Sequence, residues 1–255
     1  FKYQFRCFAK PKIKKCLNYW LIAIMDFKEH FNYENNFYIT APVNRFSKFI
    51  THLDLFRKIS NLRGEIVECG VFKGNSLMRW IKFRALLENS FSRKIYGFDT
   101  FGDFPDASIE EDRVKRQAFI DEAGSFSVKK NEFEKYLEHL NLSENVFLIE
   151  GNVNKTVPDF ISSNNEIRIS LLHIDVDLYE PTKVCIDNFF PHVVKGGVII
   201  LDDYGAFPGA NKAIEEFIDN KKTPNICLML HGPFPLRHGV LNVLMVFYCW
   251  CKIIV

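Results

Sequence analysis

Apolar side chains recur every three or four residues in the N-terminal part of the chain. Between residues 44 and 60 they fall at Phe46, Phe49, Ile50, Leu53, Phe56 and Ile59. Residues 12–31 show a similar spacing, so each segment is predicted to be an amphipathic helix that covers a core. We therefore expect residues 1–60 to form an N-terminal helical extension.

From residue 64 onward, short apolar runs alternate with helical patterns. The runs predict strands at residues 64–70, 94–98, Val146–Glu150, Ile169–Ile174 and 197–201. Between them, residues 76–87 and 182–190 have the spacing of helices. Alternating strands and helices are typical of a parallel, doubly wound sheet with helices on both faces. The sequence thus predicts a Rossmann-like α/β fold over residues 61–255.

Polar residues follow the predicted strands. They comprise the segment 68–74, Asp99, Asn152, Asp175 and the pair Asp202 and Asp203. Ligands of open α/β sheets bind beyond the carboxyl ends of the strands. We expect these residues to line one crevice.

Composition narrows the class of protein. The 255 residues are 47% apolar and 25% charged, which is typical of a globular chain with a large core. With 33 basic and 31 acidic residues the formal charge is only +2, so nucleic acid is not an expected partner. The apolar residues 240–255 are too few for a spanning helix, which needs about 20. They are expected to form one or two buried strands, without stable membrane insertion.

The seven cysteines are scattered and none stands in a CxxC pair. This spacing indicates neither a disulfide framework nor a structural zinc site. A reducing, cytoplasmic compartment is the expectation.

The first predicted strand ends in the sequence ECGVFKG, residues 68–74. Its two glycines allow a close approach of the backbone to a ligand and open a helix. The spacing fits neither GxGxxG nor GxxxxGK[ST], which disfavours a nicotinamide dehydrogenase or a phosphate loop. It resembles the turn of S-adenosylmethionine-dependent methyltransferases, although a glycine turn in any βα unit looks similar.

Two further polar residues suit a nucleoside, each with a structural alternative. Asp99, at the end of the second strand, is placed to accept hydrogen bonds from a ribose diol, or to cap a helix or turn. Asn152 is placed to contact adenine, or to serve the turn after Gly151.

Four carboxylates end two predicted neighbouring strands, in HIDVDLY (173–179) and LDDYG (201–205). Gathered in one crevice they would repel unless some were protonated or bound a cation. Oxygen ligands favour a hard ion, so Mg²⁺ is expected. Because one of the four is expected to be a helix cap, we take Asp177 as the non-ligand.

Residues 66–74, 96–101, 173–179 and 196–204 together resemble the macrocin O-methyltransferase (TylF/MycF-type) family of class I methyltransferases. The resemblance implies S-adenosylmethionine and Mg²⁺ as cofactors, with the metal held by Asp175, Asp202 and Asp203. It implies that residues 103–140 form a lid and that the protein is a homo-oligomer. The implied cofactor-binding residues are Glu68, Cys69, Gly70, Val71, Gly74, Ser76, Asp99, Thr100, Asn152 and Asp175. The tail after Met229 departs from the family's ending.

The reaction expected from this resemblance is methyl transfer to a hydroxyl of a sugar or sugar-bearing natural product. Asp177 and His173 are the candidates for the catalytic base, although His173 lies in an apolar strand, where a satisfied core histidine is the simpler interpretation. A catechol-like or other small diol is an alternative acceptor. A non-catalytic, cofactor-binding relative is the alternative of another class.

Overall fold

The computed structural model describes residues 26–221 and the backbone of two later strands, Ile226–His231 and Val243–Tyr248. The chain forms two compact units, Phe1–Lys48 and Phe49–Val255. Among the residues described, no helix has the length and apolar character required to cross a membrane. Of the apolar residues 240–255, the structure describes Val243–Tyr248, and the others fall outside the described residues.

The N-terminal helices that the structure describes match the predicted ones only in part. A 3₁₀ turn at Phe27–Glu29 precedes helix α1 (His30–Thr40), and helix α2 spans Val43–Ile59. Helix α1 ends at Thr40 because Ala41 precedes a proline and adopts an extended conformation, with φ −69° and ψ 131°. The predicted helix 12–31 is wrong at its C-terminal end, because residues 26–29 are not part of an α-helix. Its residues 12–25 lie outside the described residues. The predicted helix at 44–60 corresponds to α2.

The described strands form one parallel sheet in the order β3-β2-β1-β4-β5-β7-β6. The strands are β1 (Glu65–Cys69), β2 (Ile95–Asp99), β3 (Val146–Glu150), β4 (Ile169–Ile174), β5 (Val193–Leu201), β6 (Ile226–His231) and β7 (Val243–Tyr248). The chain builds outward from β1 to β3 and then crosses to the other side of β1. This creates a topological switch point between β1 and β4. The predicted Rossmann-like doubly wound fold is confirmed.

Six helices connect or follow these strands. They are α3 (Asn75–Leu87), α4 (Glu110–Ala123), α5 (Lys130–His139), α6 (Val153–Ser163), α7 (Tyr179–Phe189) and α8 (Pro208–Lys221). Successive residues of a strand face opposite layers, so Ile66 packs in one core with Trp80, and Val67 packs in the other with Phe189. Sequence patterning alone did not predict α4, α5, α6, α8 or β6.

The strand register brings the carboxyl ends together. Cys69 is opposite Phe98 on one side and Ile174 on the other, and Ile174 is opposite Leu201. The segments that follow β1, β2, β4 and β5 therefore leave the sheet at the same edge. The candidate functional residues lie at this edge or just inside it.

Candidate active site

Gly70 joins the ends of β1 and β4. Its φ is +91°, and a Cβ at this position would lie 1.6 Å from the carbonyl oxygen of Asp175. The amide of Asp175 in turn donates to the carbonyl of Cys69 at 2.8 Å. Only glycine permits this contact, because both the backbone conformation and the available space exclude a side chain. The glycine turn and the first aspartate of the cluster therefore touch.

Asp99 organises the glycine turn. Its Oδ2 accepts hydrogen bonds from the amides of Val71 and Phe72 at 2.8 and 2.9 Å, and its Oδ1 accepts one from Phe101 at 2.8 Å. The hydroxyl of Thr100 lies 3.3 Å from the same Oδ1. Since a carboxylate accepts about four hydrogen bonds, most of its capacity is used inside the protein. These contacts are those of a turn residue, which was one of the two predicted roles of Asp99.

Gly74 is the N-cap of helix α3 and has a φ of +82°. A Cβ at this position would lie 2.2 Å from the ring of Phe133 in helix α5. Because Gly74 has no side chain, helix α5 of the segment 103–140 can pack close to the turn. Gly74 has a packing role that the spacing of the motif did not reveal.

Glu68 is completely buried beneath the turn. Its Oε1 accepts from the hydroxyl of Ser76 at 2.9 Å, and its Oε2 accepts from the indole N–H of Trp80 at 2.7 Å and pairs with Nδ1 of His173 at 2.9 Å. The sequence analysis expected Glu68 and Ser76 to contact the cofactor. In the structure the hydroxyl of Ser76 donates to Glu68 inside the core, so a contact of these two side chains with the cofactor stays a prediction.

His173 is also fully buried, between two carboxylates. Its Nε2 lies 3.9 Å from Oδ1 of Asp202, longer than a hydrogen bond but close enough for electrostatic attraction. Burial lowers the pKa of His173, but the carboxylates of Asp202 and Glu68 outweigh it and raise the pKa to about 9. The imidazole is therefore protonated at neutral pH. A buried imidazole that already lies between two carboxylates is poorly placed to take a proton from a substrate, so the role of His173 as general base stays a prediction that this geometry does not favour.

The acidic residues separate into two groups. Carboxylate oxygens of Asp175, Asp177 and Asp203 lie within 4.8 Å of one another, while Asp202 is grouped with His52 and His173. The expected metal ligands Asp175 and Asp203 are thus close together. Asp177, expected to be the non-ligand, joins them, and Asp202 approaches the buried histidines.

Asp203 is the buried member of the first group. Burial and the negative charges of Asp177 and Asp202 raise the pKa of Asp203 well above its usual range. The backbone N–H of Asp177 donates to Oδ2 of Asp203 at 2.8 Å, and Asp177 holds a left-handed φ of +64°. A cation among these carboxylates would relieve the repulsion that raises the pKa. The donor set fits a hard divalent ion such as Mg²⁺.

Asn152 performs the structural role that was one of its two alternatives. It is the N-cap of helix α6, and its Oδ1 accepts from the amide of Asn154 at 2.9 Å. Its side chain is exposed at the carboxyl end of β3. The adenine contact stays a prediction.

Residues 103–140 lie against the glycine turn. The amide of Val128 donates to the carbonyl of Phe72 at 2.7 Å, and the ammonium of Lys73 donates to the carbonyl of Phe126. The ring of Phe72 lies 5.3 Å from that of Phe119 in helix α4, measured between centroids. Aromatic residues and backbone therefore join this segment to the turn, and no spacing rule in the sequence marked these residues as functional.

The fold and the site together define a class of protein. The chain has a Rossmann-like sheet, a glycine turn after β1 and a carboxylate cluster at the ends of β4 and β5. This combination is that of a class I methyltransferase. The model of the macrocin O-methyltransferase (TylF) family matches residues 45–229, and the chain belongs to this family.

Curated relatives and solved structures agree with this assignment. The chain is 27% identical over 158 residues to the 8-demethyl-8-(2,3-dimethoxy-alpha-L-rhamnosyl)-tetracenomycin-C 4'-O-methyltransferase of Streptomyces olivaceus, covering 60% of this chain and 58% of the relative. It is 29% identical over 162 residues to the demethyldecarbamoylnovobiocin O-methyltransferase of Streptomyces niveus, covering 62% and 59%. The matches thus span less than two thirds of these relatives.

Two solved structures are similar in fold. The calicheamicin methyltransferase CalS11 is 26% identical and superposes with a TM-score of 0.65, covering 94% of this chain and 98% of that one. The O-methyltransferase NovP is 23% identical with a TM-score of 0.61, covering 71% and 75%. The likeness to CalS11 extends over nearly the whole of both chains.

Proposed function

We propose that the protein is an S-adenosylmethionine-dependent O-methyltransferase that acts on a hydroxyl of a sugar or sugar-bearing natural product. The observation that carries the proposal is the contact between Gly70 and Asp175, which joins the glycine turn to the carboxylate cluster at the switch point. Membership of the family supports the reaction. The relative named for a rhamnosyl-bearing tetracenomycin supports a sugar acceptor over a catechol-like one.

The cofactor is proposed to bind at the turn, where it supplies an electrophilic methyl group. The backbone and side chains proposed to hold it are those of Cys69, Gly70, Val71, Gly74, Asp99, Thr100, Asn152 and Asp175. Gly70 leaves the backbone bare at the point of closest approach. Glu68 and Ser76 support this turn from inside the core.

Asp175 and Asp203 are proposed to hold Mg²⁺, with Asp202 as the third expected ligand and Asp177 beside them. A bound ion would lower the pKa of an acceptor hydroxyl and would fix the direction of its oxygen. Asp177 is partly exposed and belongs to the carboxylate group at the crevice. It is the proposed acceptor of the hydroxyl proton.

Calorimetric titration tests the cofactor and the ion separately. S-adenosylhomocysteine is expected to bind the wild-type chain with micromolar affinity, about −8 kcal/mol. Asp203→Asn is expected to keep this binding but to lose Mg²⁺-dependent methyl transfer by at least about 100-fold, because a ligand and its charge are removed. Turnover is measured with sugar and catechol acceptors.

The matched control is Asp159→Asn, the same chemical change on an exposed position of helix α6. It is expected to behave as the wild type. Full turnover of Asp203→Asn in excess EDTA would contradict the metal proposal. Tight cofactor binding by the wild type without turnover on any acceptor would favour a non-catalytic relative.

A homo-oligomer is also proposed. Within the first unit, Phe31, Tyr38, Ile39 and Val43 are large apolar side chains exposed to solvent. Where exposed apolar side chains form a contiguous patch, they are typical of protein contacts. Light scattering coupled to size-exclusion chromatography measures the mass, and a strictly monomeric species at all concentrations would contradict the proposal.

A further inference from the structure

Helix α4 has one buried residue, Asp112, which is fully enclosed. The rest of the helix is polar or only partly covered. A carboxylate is costly to bury unless its oxygens find hydrogen-bond donors. Besides the ring contact of Phe119 with Phe72, the partners of Asp112 therefore indicate how this helix is attached to the molecule.

Each oxygen of Asp112 accepts from the start of a different helix. Oδ2 accepts from the amide of Tyr179, the first residue of α7, at 3.0 Å. Oδ1 accepts from the amide of Gly209, the second residue of α8, at 2.8 Å. These N–H groups have no carbonyl partner inside their own helices, and negative charge is favourable at both helix starts. One side chain from α4 thus caps α7 and α8 together.

Gly209 is fitted to this carboxylate. A Cβ at Gly209 would lie 2.0 Å from Oδ2 of Asp112 and 2.6 Å from its Oδ1. Unlike Gly70, Gly209 does not have the left-handed φ that favours glycine. The space occupied by Asp112, and not the backbone conformation, requires glycine here.

Both capped helices begin shortly after the carboxylate group. Tyr179 follows Asp177 by two residues, and helix α8 begins five residues after Asp203. We propose that Asp112 is a positioning residue that fastens helix α4 to the two segments carrying Asp177 and Asp203. The packing of α4 against α7 and α8 is then coupled to the positions of the carboxylates of Asp177 and Asp203. The consequence for catalysis rests on the proposed function, whereas the structural coupling does not.

Amide hydrogen exchange of the full chain tests the coupling. In Asp112→Asn the side-chain amide keeps only one oxygen, so the two N–H groups no longer both have an acceptor. Exchange is expected to become about tenfold faster or more in α4, and also at residues 177–180 and 205–211. The control, Asp121→Asn, makes the same change at an exposed position of α4 and is expected to leave exchange unaltered. Faster exchange confined to α4 would overturn the proposal.

Calorimetry measures the binding of Mn²⁺ alone. A residue that only capped the two helices would not change this affinity. Asp112→Asn is expected to weaken Mn²⁺ binding about tenfold, with Asp121→Asn equal to the wild type. Equal affinity in all three proteins would overturn the positioning role. If the wild type binds no Mn²⁺, the proposed metal site fails, and the exchange measurement still decides the coupling.

A double-mutant cycle guards against general misfolding of the first variant. Gly209→Ala alone is expected to reproduce the three-region exchange pattern, because its methyl group displaces the carboxylate. In an Asp112→Ala background the same alanine is expected to change exchange less than about twofold, since the obstructing oxygens are gone. Additive effects of the two substitutions would show that they act independently and would overturn the proposal.

Discussion

Glu68 places a carboxyl group in the core, against the indole N–H of Trp80 and the ring of His173. Such a polar group is tolerated there only when it is hydrogen-bonded. Its contacts fix β1 to α3 and to β4. Because Gly70 and Asp175 follow directly after these strands, the buried pair supports the geometry of the crevice above it.

Gly70→Ala is expected to destabilise the protein by at least about 3 kcal/mol and to abolish binding of S-adenosylhomocysteine. The left-handed φ costs roughly 1 kcal/mol, and the clash with the carbonyl of Asp175 forces the strand ends apart. Chemical denaturation and calorimetry measure the two effects.

Gly124→Ala separates strain from steric conflict in this experiment. Gly124 has a similar φ of +89°, but no atom lies within 4 Å of a Cβ built there. It is expected to lose only the conformational term, about 1–3 kcal/mol because its ψ of 164° lies in a region that glycine alone adopts readily, and to keep cofactor binding. Equal losses in the two variants would show that the contact with Asp175 is unimportant.

At the scale of elements, Arg93 holds the opposite, amino edge of the sheet together. Its guanidinium pairs with Glu88 after helix α3, and donates to the carbonyl of Gly64 before β1 and to the hydroxyl of Ser170 in β4. It also donates to the carbonyl of Ile59 at the end of α2. One buried side chain therefore joins two helices and two strands.

Arg93→Lys is expected to cost about 3 kcal/mol of unfolding free energy, since an ammonium cannot reproduce the planar set of donors and leaves buried acceptors unpaired. Arg113→Lys is the control, because Arg113 pairs with Glu110 on the exposed surface of α4. Urea denaturation is the measurement. A loss for Arg93→Lys no greater than that of the control would contradict the role of Arg93 in joining these elements.

The elements differ in how well the sequence predicted them. Strands β3 and β4 match their predicted bounds because continuous apolar runs end in clear turn residues. Helix α4 was missed because Asp112 is its one buried residue, so it has no apolar stripe to produce a helical period. Its attachment depends on hydrogen bonds to two distant helices and on the ring of Phe119, which contacts Phe72, and no local pattern encodes these contacts.

At the scale of the whole molecule, the charge state of His173 links stability to pH. Its pKa is raised from 6.5 to about 9 on folding. The associated stabilisation, on the order of 3 kcal/mol, is fully present below pH 6.5 and is lost as the pH rises through 9. The metal-free wild type is therefore expected to lose unfolding free energy between these values.

His173→Gln is expected to be less stable at pH 6 and to lack most of this pH dependence. Denaturation at a series of pH values, with EDTA present, provides the comparison. A wild-type profile that is flat from pH 6.5 to 9 would contradict a protonated His173 in the folded protein.

The sequence by itself determined the α/β class, the glycine turn after β1 and the carboxylates that end β4 and β5. These features are local, because strand periodicity, turn residues and motif spacing depend on residues that are close together in the sequence. Only the tertiary structure decided which candidates reach the crevice. It turned Glu68 and His173 toward each other in the core, grouped Asp177 with Asp203 and placed Asp112 on two helix starts. The direction and burial of a side chain depend on elements far away in sequence, so residue type and spacing do not specify them.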